Sequence, residues 1–296
     1  MQFHELLTDA QQGDYKALAR LISFIENQVD NYRHFLSSLT HDTTSCVIGI
    51  TGPPGAGKST LTDCLVKKLI TKEKKVAVLC IDPSSPFSTG ALLGDRIRMQ
   101  QWYSVPEVYI RSLASRGALG GIGPMTIEIT EILKACDFDY IIIETVGVGQ
   151  NEVDIAALAD VTTVVLVPES GDEIQTMKSG LIEIADLFVI NKSDRPGAER
   201  IKMGLLSSMQ TMPDEMKRPV VETTATNGKG IDLWLEEINK YTPSNFSDKK
   251  IRLLAEKAWQ LIVKEKMKEI DKEELVNYIK QSMNQMNLYS IVNKFI

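Results

Sequence analysis

The chain is poor in the residues that build metal sites, disulfide scaffolds and nucleic-acid grips. Its four cysteines (Cys46, Cys64, Cys80, Cys136) fall inside apolar segments and form no C-x-x-C pair. They read as reduced core thiols of a cytosolic protein. Three histidines, His4, His34 and His41, all precede Cys46 without metal-ligand spacing, so no zinc or nickel site is expected from them. Lys and Arg number 33 against 39 Asp and Glu, a net charge of −6, whereas a nucleic-acid partner calls for a dense basic surface. No apolar run approaches the roughly 18 residues that cross a bilayer, and Met1-Gln2-Phe3-His4-Glu5 lacks the basic-then-apolar start of a secretory signal. The expectation is therefore a cytoplasmic protein without membrane or nucleic-acid partners. Against these absences stand 296 residues, 43% hydrophobic and 24% charged. That is enough for one large globular domain with appendages, or two modest ones.

The most informative stretch is Gly52-Pro53-Pro54-Gly55-Ala56-Gly57-Lys58-Ser59, which fits G-x-x-x-x-G-K-[ST]. It follows an apolar run, Cys46-Val47-Ile48-Gly49-Ile50, and precedes Leu61, Leu65 and Leu69 at helical spacing. Strand, glycine loop and helix are the context the motif needs. Glycines let backbone N–H groups turn inward around a polyphosphate, Lys58 neutralises β/γ oxygens, Ser59 holds Mg²⁺, and the helix N-terminus adds its positive dipole. The stretch implies a nucleoside triphosphate site.

Short apolar runs alternate with helical segments from Cys46 to about Tyr241. Strands are expected at Cys46–Thr51, Val76–Ile81, Val108–Ser112, Tyr140–Glu144, Thr163–Val167, Leu187–Ile190 and Val220–Glu222. Several are continuous in Val, Ile and Leu, as in parallel strands covered on both faces. The fold class expected is α/β, a doubly wound and mainly parallel sheet. Three parts are expected: a helical extension over 1–45, the phosphate-loop domain over 46–241, and C-terminal helices over 242–296. In the first, Leu18, Ile22, Ile25, Val29, Tyr32, Leu36 and Leu39 trace the seam of an amphipathic helix or helical pair. After Thr242-Pro243-Ser244-Asn245, two helices are expected, one through Ile251, Leu254, Ala258, Leu261 and Ile262, the other through Leu275, Ile279, Met283 and Met286. Such helices pack on the domain or form an oligomer arm.

Asn191-Lys192-Ser193-Asp194 follows the strand Leu187–Ile190 and fits N-K-x-D. At a strand end the Asp194 carboxylate accepts from N1–H and the 2-amino group of guanine. Adenine offers neither donor and leaves the carboxylate unpaired, a loss that discriminates by about 10⁴. Lys192 lays its stem over the purine, and Asn191 ties this loop to the phosphate loop. A further loop, Thr223-Thr224-Ala225-Thr226, offers backbone N–H groups to guanine O6, or is a plain β-to-α turn. Asp82 ends a strand and approaches Mg²⁺ or caps the next turn; Asp95 is a movable metal contact or a helix cap. Tyr140-Ile141-Ile142-Ile143-Glu144 reads as a metal-facing strand running into Thr145-Val146-Gly147-Val148-Gly149-Gln150. Glu144 stands where an aspartate is more familiar and orients Mg²⁺ through a water. Gly147 offers its N–H to the γ-phosphate, and Gln150 is placed to orient the attacking water. Arg111 and Arg116 are arginine-finger candidates by position only.

These motifs, in this order, with Ile81-Asp82-Pro83-Ser84-Ser85 and Arg111-Ser112 followed by Arg116-Gly117, resemble the methylmalonyl-CoA mutase-associated GTPases, the MeaB/ArgK/MMAA family. The resemblance runs from about Gly13 through Tyr241. It implies nucleotide contacts from Gly52 through Ser59 and Thr60, a GTP- and Mg²⁺-dependent hydrolase, and a C-terminal arm for a homodimer. The implied role is to gate cofactor loading, protection or reactivation of an adenosylcobalamin-dependent acyl-CoA mutase, with cobalamin only in that partner. It also implies a further loop, Pro168-Glu169-Ser170-Gly171-Asp172-Glu173, continuing through Gln175 to Lys178. Lys178 enters the phosphate site in the complex or is a solvated helix residue. Competing readings are a nickel- or cobalt-insertion GTPase, which predicts Cys/His clusters, and an ATP-using kinase tied to amino-acid transport, which Asp194 disfavours.

Overall fold

The structure is a computed structural model that describes residues 2–40, 45–82, 99–114, 125–145, 152–170, 182–214, 217–241, 248–267, 270–282 and 288–295. It divides into two units, Met1–Phe246 and Ser247–Ile296. The first is built on seven parallel strands: β1 (Cys46–Thr51), β2 (Val76–Asp82), β3 (Val108–Ala114), β4 (Tyr140–Glu144), β5 (Val161–Leu166), β6 (Leu187–Ile190) and β7 (Val220–Glu222). Their order is β3-β2-β4-β1-β5-β6-β7. Every residue of β1, β5 and β6 is buried, which explains why these segments read as continuous apolar runs. Four boundaries differ from expectation, the least of them β5 ending at Leu166 instead of Val167. β2 and β3 run one and two residues further, because Asp82 pairs with Ala114, and β5 begins at Val161, which pairs with Ile48.

β1 lies between β4 and β5, with Ile50 opposite both Glu144 and Thr163. Chain order reverses across β1, and ligands of doubly wound sheets sit in the crevice opened at that reversal. Side chains of β1 alternate between two cores. Cys46, Ile48 and Ile50 meet Leu61, Leu65 and Leu69 of α4 (Lys58–Ile70), together with Trp234, Leu235 and Ile238 of the later helix Ile231–Ile238. On the opposite face Val47 joins a core that includes Ile129 and Leu133 from Thr126–Ala135 and Ile155 from Glu152–Leu158.

The N-terminal helices complete that second core. They are α1 (Gln2–Gln11), α2 (Tyr15–Glu26) and α3 (Tyr32–Ser37). Asp14 caps α2 by accepting from the Lys16 and Ala17 N–H groups at 2.8 and 3.1 Å, satisfying donors the first turn leaves open. Leu18, Leu21, Ile22 and Ile25 are fully buried. The expected seam fails at Val29, which is 40% exposed. The helix ends at Glu26 and left-handed residues Gln28 and Asn31 redirect the chain, so one helical register does not run through. Arg111 of β3 pairs with Glu26 and lies 3.3 Å from Ser23 Oγ. That tie to α2 accounts for Arg111 structurally, against its reading as an arginine finger.

The second unit contains the helices Asp248–Lys266 and Lys272–Ser282 and a third, Leu288–Phe295, that the periodicity did not reveal. Phe295 packs edge-on to Tyr278 at 5.6 Å, and the Lys294 ammonium sits 3.7 Å from the same ring centre. No described helix is long and apolar enough to cross a membrane.

Gly49 makes the close approach of β1 to Glu152–Leu158 possible. A Cβ there would meet Ile155 Cγ1 at 2.8 Å and Ala159 Cβ at 3.0 Å. Gly49→Ala is expected to destabilise the first unit by about 1–3 kcal/mol through overpacking, read as a lower urea midpoint at unchanged slope.

Candidate nucleotide site

The phosphate loop leaves β1 through a turn that only glycine makes. Gly52 has φ +137°, and an added Cβ would overlap the Val165 carbonyl oxygen of β5. Gly57 has φ +84°, with the position of a Cβ 2.5 Å from Asn191 Nδ2. Lys58 opens α4, so its backbone N–H joins the donors at the helix N-terminus. The Lys58 ammonium is buried at 6% exposure and donates to the Gly52 and Pro53 carbonyls at 2.9 and 3.0 Å. These bonds fold the lysine over the loop whose pattern marks it for phosphate.

Glu144 ends β4 beside β1 and is 5% exposed. Its Oε1 accepts from Ser59 Oγ at 2.6 Å, and its Oε2 lies 2.9 Å from Thr62 Oγ1. A glutamate is one methylene longer than aspartate, and here it reaches the hydroxyl directly. Next to it the Thr145 N–H donates to the Ile50 carbonyl at 3.1 Å, and its hydroxyl lies 3.0 Å from that of Thr51. A hydroxyl and a carboxylate in contact are the hard-oxygen donor set that suits Mg²⁺.

Asn191 joins three loops. Its Nδ2 donates to the Ala56 carbonyl of the phosphate loop at 2.9 Å. Its Oδ1 accepts from Thr223 Oγ1 and the Ala225 N–H, each at 3.2 Å. The side chain is 2% exposed. Behind it the Ser193 N–H donates to the Thr223 carbonyl at 3.0 Å, and the Ser193 and Thr224 hydroxyls are 3.1 Å apart. Lys192 adopts φ +57°, turning the chain so that Asp194 is exposed, without a hydrogen-bond partner among the described residues. The Ala225 N–H is thus committed to Asn191. The Thr224–Thr226 segment is a 3₁₀ turn, Ala225–Asn227, closed by a bridge between Thr224 and Lys229.

Sequence reasoning missed two contributors. Thr62 carries no motif, yet its side chain is fully buried against Glu144; its place one helical turn past Lys58 was the available signal. Glu169 was noted only within the further loop. It accepts from Arg195 and lies 4.0 Å from Lys192 Nζ, docking the end of the β5 connection on the N-K-x-D segment. Its own backbone N–H, Arg195 and Lys192 hold its carboxyl below the usual range, against a smaller opposing effect of burial. Adjoining the site, a groove of about 640 Å³ runs along α4 between Thr60, Cys64, Lys67 and the Ala225–Gly228 turn. The Cys64 thiol there donates to the Ala225 carbonyl at 3.1 Å, and burial, then Asp63, pushes its pKa up while Lys67 acts the other way.

Gly52 to Thr60, Glu144, Asn191, Lys192, Asp194 and Thr224 to Thr226 therefore gather at the carboxyl ends of β1, β4, β6 and β7. The backbone of Asp82 ends β2, two strands from β1. Asp95, Arg116, Gly147, Gln150 and Lys178 lie outside the described residues.

A doubly wound sheet, a glycine-framed loop with a buried lysine, and a carboxylate on the loop's serine define the class of P-loop nucleoside triphosphatases. The chain matches the family described as methylmalonyl Co-A mutase-associated GTPase MeaB over residues 18–284. A putative GTPase of Pyrococcus abyssi is 48% identical over 237 residues, spanning 78% of this chain and 73% of its own. GTPase ArgK of Escherichia coli is 33% identical over 242 residues, spanning 78% and 73%. The crystal structure of an LAO/AO transport system kinase superposes with a TM-score of 0.70 at 23% identity over 99% of this chain and 96% of that one, a likeness of fold. The chain belongs to the MeaB family of P-loop GTPases.

Asn191→Ala leaves the Ala56 carbonyl and the Ala225 N–H unpaired. It is expected to cost about 1–3 kcal/mol of stability and to weaken guanine nucleotide binding, as read by denaturation and calorimetry. The Glu169 carboxyl is expected to titrate below a solvent-exposed glutamate by carboxyl-carbon NMR. With its folded pKa lowered, its contribution to docking is complete above the ordinary glutamate range and is lost as pH falls through the lowered value.

Proposed function

We propose that the chain hydrolyses GTP with Mg²⁺ to serve an adenosylcobalamin-dependent acyl-CoA mutase, gating its cofactor loading, protection or reactivation. The observation that carries the nucleotide part is the Asn191 amide, which binds the phosphate loop and the N-K-x-D loop into one crevice. The mutase part is supported by the family description.

In this reading Lys58 leaves the Gly52 and Pro53 carbonyls for the β/γ oxygens, which the helix N-terminus also stabilises. Ser59, with Asp82 and Asp95 and with Glu144 through a water, would hold Mg²⁺, which would supply positive charge to neutralise those oxygens. Water attacks the γ-phosphorus in line, a new P–O bond forms, and the bond to the β–γ bridging oxygen breaks, releasing GDP and phosphate. Gly147 senses the γ-phosphate, Gln150 orients the water, and Lys178 reaches the phosphates when the mutase is bound. Asp194, Lys192 and the Thr224–Thr226 turn hold guanine. The chain divides functionally into a helical extension, a nucleotide domain and an arm. Exposed Ile251, Trp259, Ile262 and Val263 on Asp248–Lys266 supply apolar surface for a homodimer. A cytoplasmic location fits a soluble partner enzyme.

The metal-insertion reading calls for a cysteine- and histidine-rich cluster, but Cys46, Cys80 and Cys136 are buried core residues and Cys64 is bonded to Ala225. The kinase reading needs an adenine site, which the Asp194 carboxylate opposes.

Asp194→Asn places an amide donor opposite the 2-oxo group of xanthine while its oxygen still accepts from N1–H. Preference is expected to shift from guanine to xanthine nucleotides by at least about 10-fold, measured by competition calorimetry; unchanged guanine preference refutes the base assignment. Affinity capture from the native cell is expected to recover a cobalamin-dependent mutase in one nucleotide state. Its absence under both GTP and GDP removes the mutase role.

A further inference from the structure

The Ser59–Glu144 contact has a third member that no motif announces. Thr62 sits on α4 one turn after Lys58, with no exposed surface. Its hydroxyl is 3.0 Å from the Lys58 carbonyl and 2.9 Å from Glu144 Oε2, while Ser59 takes Oε1 at 2.6 Å. Both oxygens of one nearly buried carboxylate are thus held by hydroxyls from the same helix turn. A carboxylate fixed at both oxygens cannot rotate about its terminal torsion, which is otherwise broad.

The geometry points to Thr62 as a positioning residue for the Mg²⁺ site. It holds Glu144 so that Oε1 keeps accepting the Ser59 proton, which leaves the Ser59 lone pairs directed away from Glu144 and available to a cation. This adds to the sequence expectation, in which Glu144 orients Mg²⁺ through a water. It rests on the nucleotide site proposed above. Thr62 touches neither nucleotide nor metal, and its effect passes through Glu144. Partners one step removed from a metal ligand typically change metal affinity by about 10–100-fold when lost.

The competing account is local. A buried helix threonine often bonds the carbonyl four residues back, and Thr62 then only satisfies its own hydroxyl. The two accounts differ in what Thr62→Val does. Valine keeps the shape and removes the donor.

The test measures GDP affinity by calorimetry in saturating Mg²⁺ and in excess chelator, and the Mg²⁺ concentration at half-maximal tightening, for the wild type, T62V, T62A and T62S. GDP avoids any dependence on turnover. In the wild type, Mg²⁺ is expected to tighten GDP binding. In T62V and T62A the half-maximal Mg²⁺ concentration is expected to rise about 10-fold or more, with chelator affinity within about 3-fold of wild type, and T62S is expected to restore it. Thermal melts identify a variant that does not fold, in which case the other substitutions decide. An unchanged Mg²⁺ requirement in T62V or T62A, or equal losses with and without Mg²⁺, overturns the assignment of Thr62. A wild type that binds no guanine nucleotide, or binds it independently of Mg²⁺, overturns the site reading itself.

Discussion

One amide side chain holds the nucleotide crevice together. Asn191 is almost wholly buried, so each of its polar atoms must find a protein partner or carry a desolvation cost of about 1–3 kcal/mol. It finds them in two loops, the phosphate loop after β1 and the loop after β7, while Asn191 itself follows β6. Gly57 has no Cβ because Asn191 occupies the space one would fill, so the glycine and the asparagine are one constraint seen from two motifs. The phosphate end and the base end of the site are set at a fixed distance by that constraint, without a ligand to measure it.

The sheet explains why so few residues suffice. With β1 buried along its whole length and flanked by β4 and β5, the chain reverses its order at the strand that carries the phosphate loop. Glu144 arrives beside that loop through register, opposite Ile50, and needs no flexible approach. Burial makes the resulting contacts strong in both senses. A carboxylate in a low-dielectric crevice attracts hydroxyl protons and cations strongly, and it is costly wherever those partners are lost. The lysine and glutamate of the site are each held by protein groups, which allows two opposite charges to remain buried in the same loop region.

Contacts further out connect this centre to the rest of the first unit. Arg111 on β3 is paired with Glu26, fastening α2 to the sheet edge remote from the base loop. On the other side Glu169 couples the β5 connection to Lys192 and Arg195. Exposed pairs such as Arg195–Glu169 contribute little stability individually, about 0–1 kcal/mol; their consequence is positional. The β5 connection thus meets the segment that carries Asp194 through a salt bridge as well as through the Asn191 N–H, which donates to the Leu166 carbonyl at 2.8 Å.

The strand pattern, the phosphate loop and the N-K-x-D segment were legible in the sequence because each is local. Apolar runs, glycine spacing and a following amphipathic helix are set by backbone sterics and burial within a few neighbouring residues. The resemblance to MeaB-type GTPases was legible for the same reason, since it rests on the order of such segments. Helix Leu288–Phe295, the break at Val29 and the true start of β5 were not, because each depends on a partner distant in the chain or on a turn with left-handed residues. Thr62 and Glu169 belong with them. An isolated threonine or glutamate has no signature, and only the tertiary structure, by folding α4 against β4 and the β5 connection against the N-K-x-D loop, gives either one a carboxylate or a cation to face.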